Sequence, residues 1–89
     1  MTYESLNEPI GVAAVFRPVE KGPGATLHPL SFQWQARAYR VDRVTYSWRV
    51  REGAGWWHHF TVTTRDGNTY ELAFHTESLC WQLTKVWLP

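Results

Sequence analysis

From Phe32 to Phe74 the large apolar side chains of this chain recur at every second position, and a period of two belongs to strands rather than helices. Phe32 and Trp34 alternate with polar neighbours, and Tyr39 and Val41 continue on odd positions. Val44, Tyr46, Trp48 and Val50 then follow on even positions, so the pattern changes parity at Asp42-Arg43. One extra residue there, a β-bulge, reconciles the two halves and bends the strand. Glu52-Gly53-Ala54-Gly55 turns the chain, after which Trp56, His58, Phe60, Val62 and Thr64 share one face and Trp57, His59, Thr61, Thr63 and Arg65 the other. Asp66-Gly67-Asn68 reads as a three-residue hairpin loop, with Asn68 taking the left-handed conformation. In that register Thr64 faces Tyr70, Val62 faces Leu72, Phe60 faces Phe74, and His59 meets His75 on the outer face.

The flanks are less regular. Residues 1–9 are polar and expected to fray, while Ile10 to Phe16 is an apolar run suited to one buried strand. Arg17 to Pro29 holds Gly22-Pro23-Gly24 and reads as a long loop. Leu79 to Leu88 fits helical spacing at Leu79, Leu83, Val86 and Trp87, but the preceding meander and the Trp and Val content favour a final strand. The expected fold is all-β: one domain over 1–89, a strongly bent antiparallel meander of five to six strands over 30–88, curled toward a small SH3-like barrel.

A chain of 89 residues is one domain's worth and must bury most of its large side chains to fold. Six Trp, four Tyr and four Phe supply that area. No apolar run is long enough to span a membrane, the polar start lacks a signal-peptide pattern, and Cys80 is a lone cysteine. These features predict a cytoplasmic protein without membrane contact. The net charge of +1 is unevenly spread: residues 30–65 hold Arg37, Arg40, Arg43, Arg49, Arg51 and Arg65 against only Asp42 and Glu52. Arginine suits bidentate and stacked contacts with phosphate, carboxylate and bases.

The pattern Phe32-x-Trp34-x-x-Arg37-x-Tyr39-x-Val41-x-x-Val44, with Trp48, the Trp56-Trp57 pair, Tyr70-Glu71-Leu72, Trp81 and Leu83, resembles a group of short bacterial domains of unknown function. The likeness spans residues 30–87. It implies a bacterial, cytoplasmic protein, some members of the group being associated with DNA repair or error-prone polymerase genes. In this chain His58-His59 stands where the group carries arginine, the hairpin there is short, and residues 1–29 have no counterpart. The resemblance implies no catalytic residue.

No arrangement of residues points to catalysis. His58 and His59 are adjacent on a strand and face opposite ways, so they cannot share an ion, and the expected His59–His75 pair is two ligands short of a closed zinc site. Cys80 sits between Leu79 and Trp81, surroundings that raise a thiol's pKa rather than activate it. The carboxylates are scattered, and no phosphate-binding loop precedes a helix. The expectation is a non-catalytic binding module without metal or cofactor. If Val44, Tyr46, Trp48 and Val50 turn inward, the outer face gathers Arg43, Arg49, Arg51, Trp57, His59 and Arg65, a basic and aromatic surface suited to single-stranded nucleic acid. The alternative partner is a protein, or a second copy in a homodimer, docked on exposed aromatics such as Trp57 and Trp87.

Overall fold

The computed structural model describes residues 2–88 and contains only strands and turns among them. Seven strands run in chain order: β1 (Thr2–Pro9), β2 (Gly11–Pro18), β3 (Ala25–Trp34), β4 (Arg37–Glu52), β5 (Gly55–Thr64), β6 (Thr69–His75) and β7 (Trp81–Leu88). All neighbours are antiparallel, in the order β1-β7-β6-β5-β4-β3-β2. The meander therefore runs from β2 to β7, and β1 returns to lie beside β7. The ends of the sheet, β1 and β2, are not paired with each other, so the expected barrel does not close.

Three segments depart from the sequence reading. Residues 2–9 are a paired edge strand rather than a frayed end, and Tyr3 packs on Trp87 at 5.5 Å; Met1 lies outside the described residues. The expected long loop over 17–29 is mostly strand: β2 runs to Pro18, β3 starts at Ala25, and only Val19–Gly24 is left to turn. The prolines misled because their positions are ones a sheet tolerates. Pro18 ends an edge strand, and Pro29 pairs with Ala14 beside a register shift. Gly11 to Phe16 is strand, with Ile10 between β1 and β2, but it lies at an edge rather than buried, and Phe16 is 65% exposed.

β4 is the longest strand, and its first residues pair with β3 while the rest pair with β5. The sheet bends between the two, carrying Phe32 and Tyr39 over the even-numbered side chains of the next hairpin. The fully buried layer is Phe32, Val62, Leu72 and Leu83, joined by Phe60, Tyr70 and Val86. Phe32 stacks on Tyr39 at 5.0 Å and meets Tyr70 edge-on at 5.2 Å. Leu6, Ile10, Trp34 and Trp81 close the sides of this core.

The β5–β6 hairpin has a three-residue loop, but it is Arg65-Asp66-Gly67, and Gly67 at φ 89° supplies the left-handed position. Thr64 donates its N–H to the Asn68 carbonyl. Every pairing moves by two residues: Val62 faces Tyr70, Phe60 faces Leu72, and Thr64 no longer faces Tyr70. A shift of two preserves faces, so the core is the expected one although its partners differ. Residues 81–88 form the final strand, as the Trp and Val content indicated.

The β3–β4 hairpin turns at Gln35-Ala36, with φ of 52° and 61°. Such two-residue turns favour Gly or Asn, and an L side chain in this region costs about 1–2 kcal/mol. Ala36→Gly is expected to stabilise the fold by about 1 kcal/mol, and Leu83→Ala, in the buried layer, to cost about 2–5 kcal/mol. Urea unfolding followed by tryptophan fluorescence checks both.

Candidate functional site

The second half of β4 decides which side chains can act together. Its pairing with β5 slips twice, between Val41 and Arg43 and again between Val44 and Tyr46. The first slip is the bulge expected at Asp42. The second leaves Thr45 unpaired, and its hydroxyl donates to the Thr61 carbonyl at 3.1 Å. It also reverses the parity of everything that follows. Tyr46 pairs with Thr61, Trp48 with His59 and Val50 with Trp57, all on the outer face, whereas Ser47, Arg49 and Arg51 pair with Phe60, His58 and Trp56 on the core side.

The single outer surface expected from sequence is therefore divided. Arg43 does face outward, opposite Thr63, and shares that face with Trp57 and His59. Arg49 and Arg51 lie on the other side of the sheet, their guanidinium carbons 4.8 and 5.2 Å from the Trp56 ring centroid. That separation is a cation–π contact. Arg65 sits apart in the β5–β6 loop, its N–H donating to the Arg40 carbonyl. His59 faces Ala73, and His75 faces Trp57, so the expected His59–His75 pair does not form. Among the described residues no three of His, Cys, Asp and Glu converge as metal ligands would.

Three side chains expected inside, Tyr46, Trp48 and Val50, are outside. Tyr46 is 66% exposed and packs on Trp48 at 5.4 Å, and Trp48 stacks face to face on His59 at 4.9 Å with a 7° tilt. Tyr46, Trp48 and His59 thus make a ladder of three rings across the outer face. Beyond it, Trp57 donates its indole N–H to Glu52 at 2.8 Å and meets His75 edge-on at 4.8 Å.

β3 pairs only with Arg37–Arg40 of β4, so the remainder of β4 has a free edge. Along that edge the start of β3 stands off from the β4–β5 hairpin and leaves an open cleft of about 330 Å³. Ala25, Thr26 and Leu27 form one wall, and Ser47, Trp48, Arg49, His58 and Phe60 the other. Ser47, Arg49, His58 and Phe60 all lie on the core side of the hairpin, so the cleft is on that side, whereas the Trp48 ring stacks on His59 on the outer face. A cation and an imidazole thus line one groove at the free edge of β4, with the Trp48 ring on the opposite face of the same strand. Burial pushes the His58 pKa below 6.5, with further depression from the Arg49 guanidinium and from His59.

A second hollow, of about 350 Å³, lies on the outer face between Trp57, His59, Ala73, Gln82, Thr84, Asn7 and Glu52. Beside it Glu71 is buried, accepting from the Thr84 hydroxyl at 2.5 Å, with His59 Nδ1 at 3.5 Å and Lys85 Nζ at 3.8 Å. His75 is structural: its Nδ1 accepts from the N–H groups of Glu77 and Ser78, and its ring abuts Gly55, where a Cβ would come within 2.9 Å of Cε1.

No protein-family model matches this chain, and it shows no significant similarity to a curated protein or to a solved structure. Among the described residues no helix is long and apolar enough to cross a membrane.

The depressed His58 pKa has a stability consequence. Below pH 6.5 the unfolded chain binds a proton at this site more readily than the folded one, so stability is complete above that pH and declines as the pH falls through it. Thermal melts between pH 7.5 and 5 are expected to show this decline, with a shallower slope in His58→Gln.

Proposed function

We propose that this domain is a non-catalytic binding module for single-stranded nucleic acid, held along the free edge of β4. The observation that carries this reading is that adjacent Trp48 and Arg49 project from opposite faces of one free strand edge, the Trp48 ring being flanked by Tyr46 and His59. Single-strand binding without sequence preference asks for rings on which bases stack and cations that follow the phosphates. Here the rings come from one face of β4 and Arg49 and Arg51 from the other, so a strand lying on the edge meets both. Arg43, on the ladder's own face, adds a further cation. Fixing arginines on Trp56 reduces the rotamer freedom they would lose on contacting phosphate.

A protein partner is the second reading. Val50, 47% exposed, extends the Tyr46–Trp48 strip with an apolar side chain that nucleic acid does not need. The two readings part on salt, because phosphate contacts release counterions and aromatic protein interfaces do not. Fluorescence anisotropy of a labelled mixed-sequence single strand is expected to report binding that weakens roughly tenfold or more between 50 and 200 mM salt, as two to three phosphate contacts imply. Trp48→Ala is expected to weaken it a further tenfold to hundredfold, corresponding to about 1–3 kcal/mol per stacked base. Absence of binding at low salt would overturn the nucleic-acid reading and leave the protein partner.

A further inference from the structure

The sheet has four stretches of unpaired edge, and they are not equally protected; residues 25–30 of β3 form one, facing the cleft and carrying Pro29. β1 carries Glu4, Glu8 and Pro9, with a register shift between Ser5 and Glu8 and Asn7 at φ 62°. The second half of β4 carries Asp42, Arg43, Arg49 and Arg51 and its two bulges. Charges, prolines and bulges are the devices by which sheet edges avoid pairing with other chains. β2 has neither charge nor proline between Gly11 and Phe16, and the register shift at Ala13/Ala14 lies on its paired side, with Leu30 of β3 as the extra residue. The β2 sequence there is Gly-Val-Ala-Ala-Val-Phe, uncharged and free of proline, and Phe16 is 65% exposed.

The backbone of β2 also has a determinate open side. Val19 donates its N–H to the Gly24 carbonyl, so Val19 points its backbone groups toward β3. Counting back by two, Arg17, Val15, Ala13 and Gly11 do the same, while Phe16, Ala14 and Val12 turn theirs away. Pro29, which has no N–H to offer, agrees with this assignment, because it stands opposite Ala14.

We propose that β2 is a self-association edge, on which two copies of this chain pair antiparallel about Ala14. A two-fold axis perpendicular to a sheet requires one residue to face its own copy, and only residues with outward backbone groups can exchange hydrogen bonds there. Centring on Ala14 uses the whole free edge. Ala14 exchanges both groups with the second copy's Ala14, and Val12 does so with the second copy's Phe16. The cross-strand neighbours are then apolar on apolar, Ala13 meets Val15, and Arg17 falls opposite Gly11, so no like charges oppose each other. Centring on Val12 would bring the backbone of Pro9 and Glu8 into the ladder, and centring on Phe16 would bring in Pro18, which has no N–H.

Sedimentation equilibrium of the full chain over a series of concentrations is expected to show a monomer–dimer equilibrium. Ala14→Pro removes an N–H on the open side only, which an edge tolerates, and is expected to give a monomer with unchanged circular dichroism. In a Cys80→Ser background, Ala14→Cys is expected to oxidise to a covalent dimer, since hydrogen-bonded partners stand about 5.5 Å apart at Cα, within disulfide range. Val12→Cys, whose copies lie far from each other, is not. A chain that stays monomeric throughout overturns the proposal and leaves the edge to an extended segment of another protein. A dimer that persists in Ala14→Pro, or Ala14→Cys that does not cross-link, overturns it as well.

Discussion

The two bulges of β4 are the constraint on which the rest of this structure depends. A strand with only the first would carry Val44, Tyr46, Trp48 and Val50 on the core side and every arginine of its second half outside. The bulge at Asp42 bends the sheet so that Phe32 and Tyr39 cover the core of the β5–β7 strands. The bulge at Thr45, only a few residues later, turns Tyr46 and Trp48 out and Arg49 and Arg51 back. One bulge builds the core and the other builds the surface. The second involves no glycine; the Thr45 hydroxyl anchors it by donating to the Thr61 carbonyl across the pair.

The arginines gain from this arrangement as well as the rings. On the core side, beyond the last buried layer, Arg49 and Arg51 lie over Trp56 and cover an indole that would otherwise face water. Burial, and after it the charge of the neighbouring Arg49, depresses protonation of His58. On the outer face, burial of Glu71 is made tolerable by the Thr84 hydroxyl and by Lys85. An unpaired carboxylate there would be costly. Both faces of the β5–β7 sheet are thus structured, one around aromatics and aliphatics and the other around a polar cluster.

Much of the fold was legible in the sequence. Alternation of apolar residues gave the strands from Phe32 to Phe74, and the parity change gave the first bulge. The hairpin after Thr64 came out one residue early because Asn68 and Gly67 both tolerate a left-handed backbone, and glycine takes it more readily. The extent of β1 and the start of β3 were hidden for a different reason. Proline and glycine weaken a strand in isolation, and pairing at a sheet edge overrides that weakness. The site was only half legible: Trp57, His59 and Arg43 share the expected face, but Arg49 and Arg51 do not. The even-numbered run from Val44 to Val50 looks continuous whether or not a bulge interrupts it. Period-two reasoning cannot detect a second slip when the residues after it are as apolar as those before. The adjacency of Arg49 and Arg51 to Trp56 across a tight turn was the available clue.

Cross-strand NMR contacts between β4 and β5 test this register most directly. The account predicts backbone and ring contacts between Trp48 and His59 and between Arg49 and His58. Contacts of Trp48 with His58 and of Val50 with Trp56 would mean that the slip at Thr45 is absent and Trp48 faces the core. The outer ladder would then lose its central ring, and the division of β4 into two functional faces would be wrong.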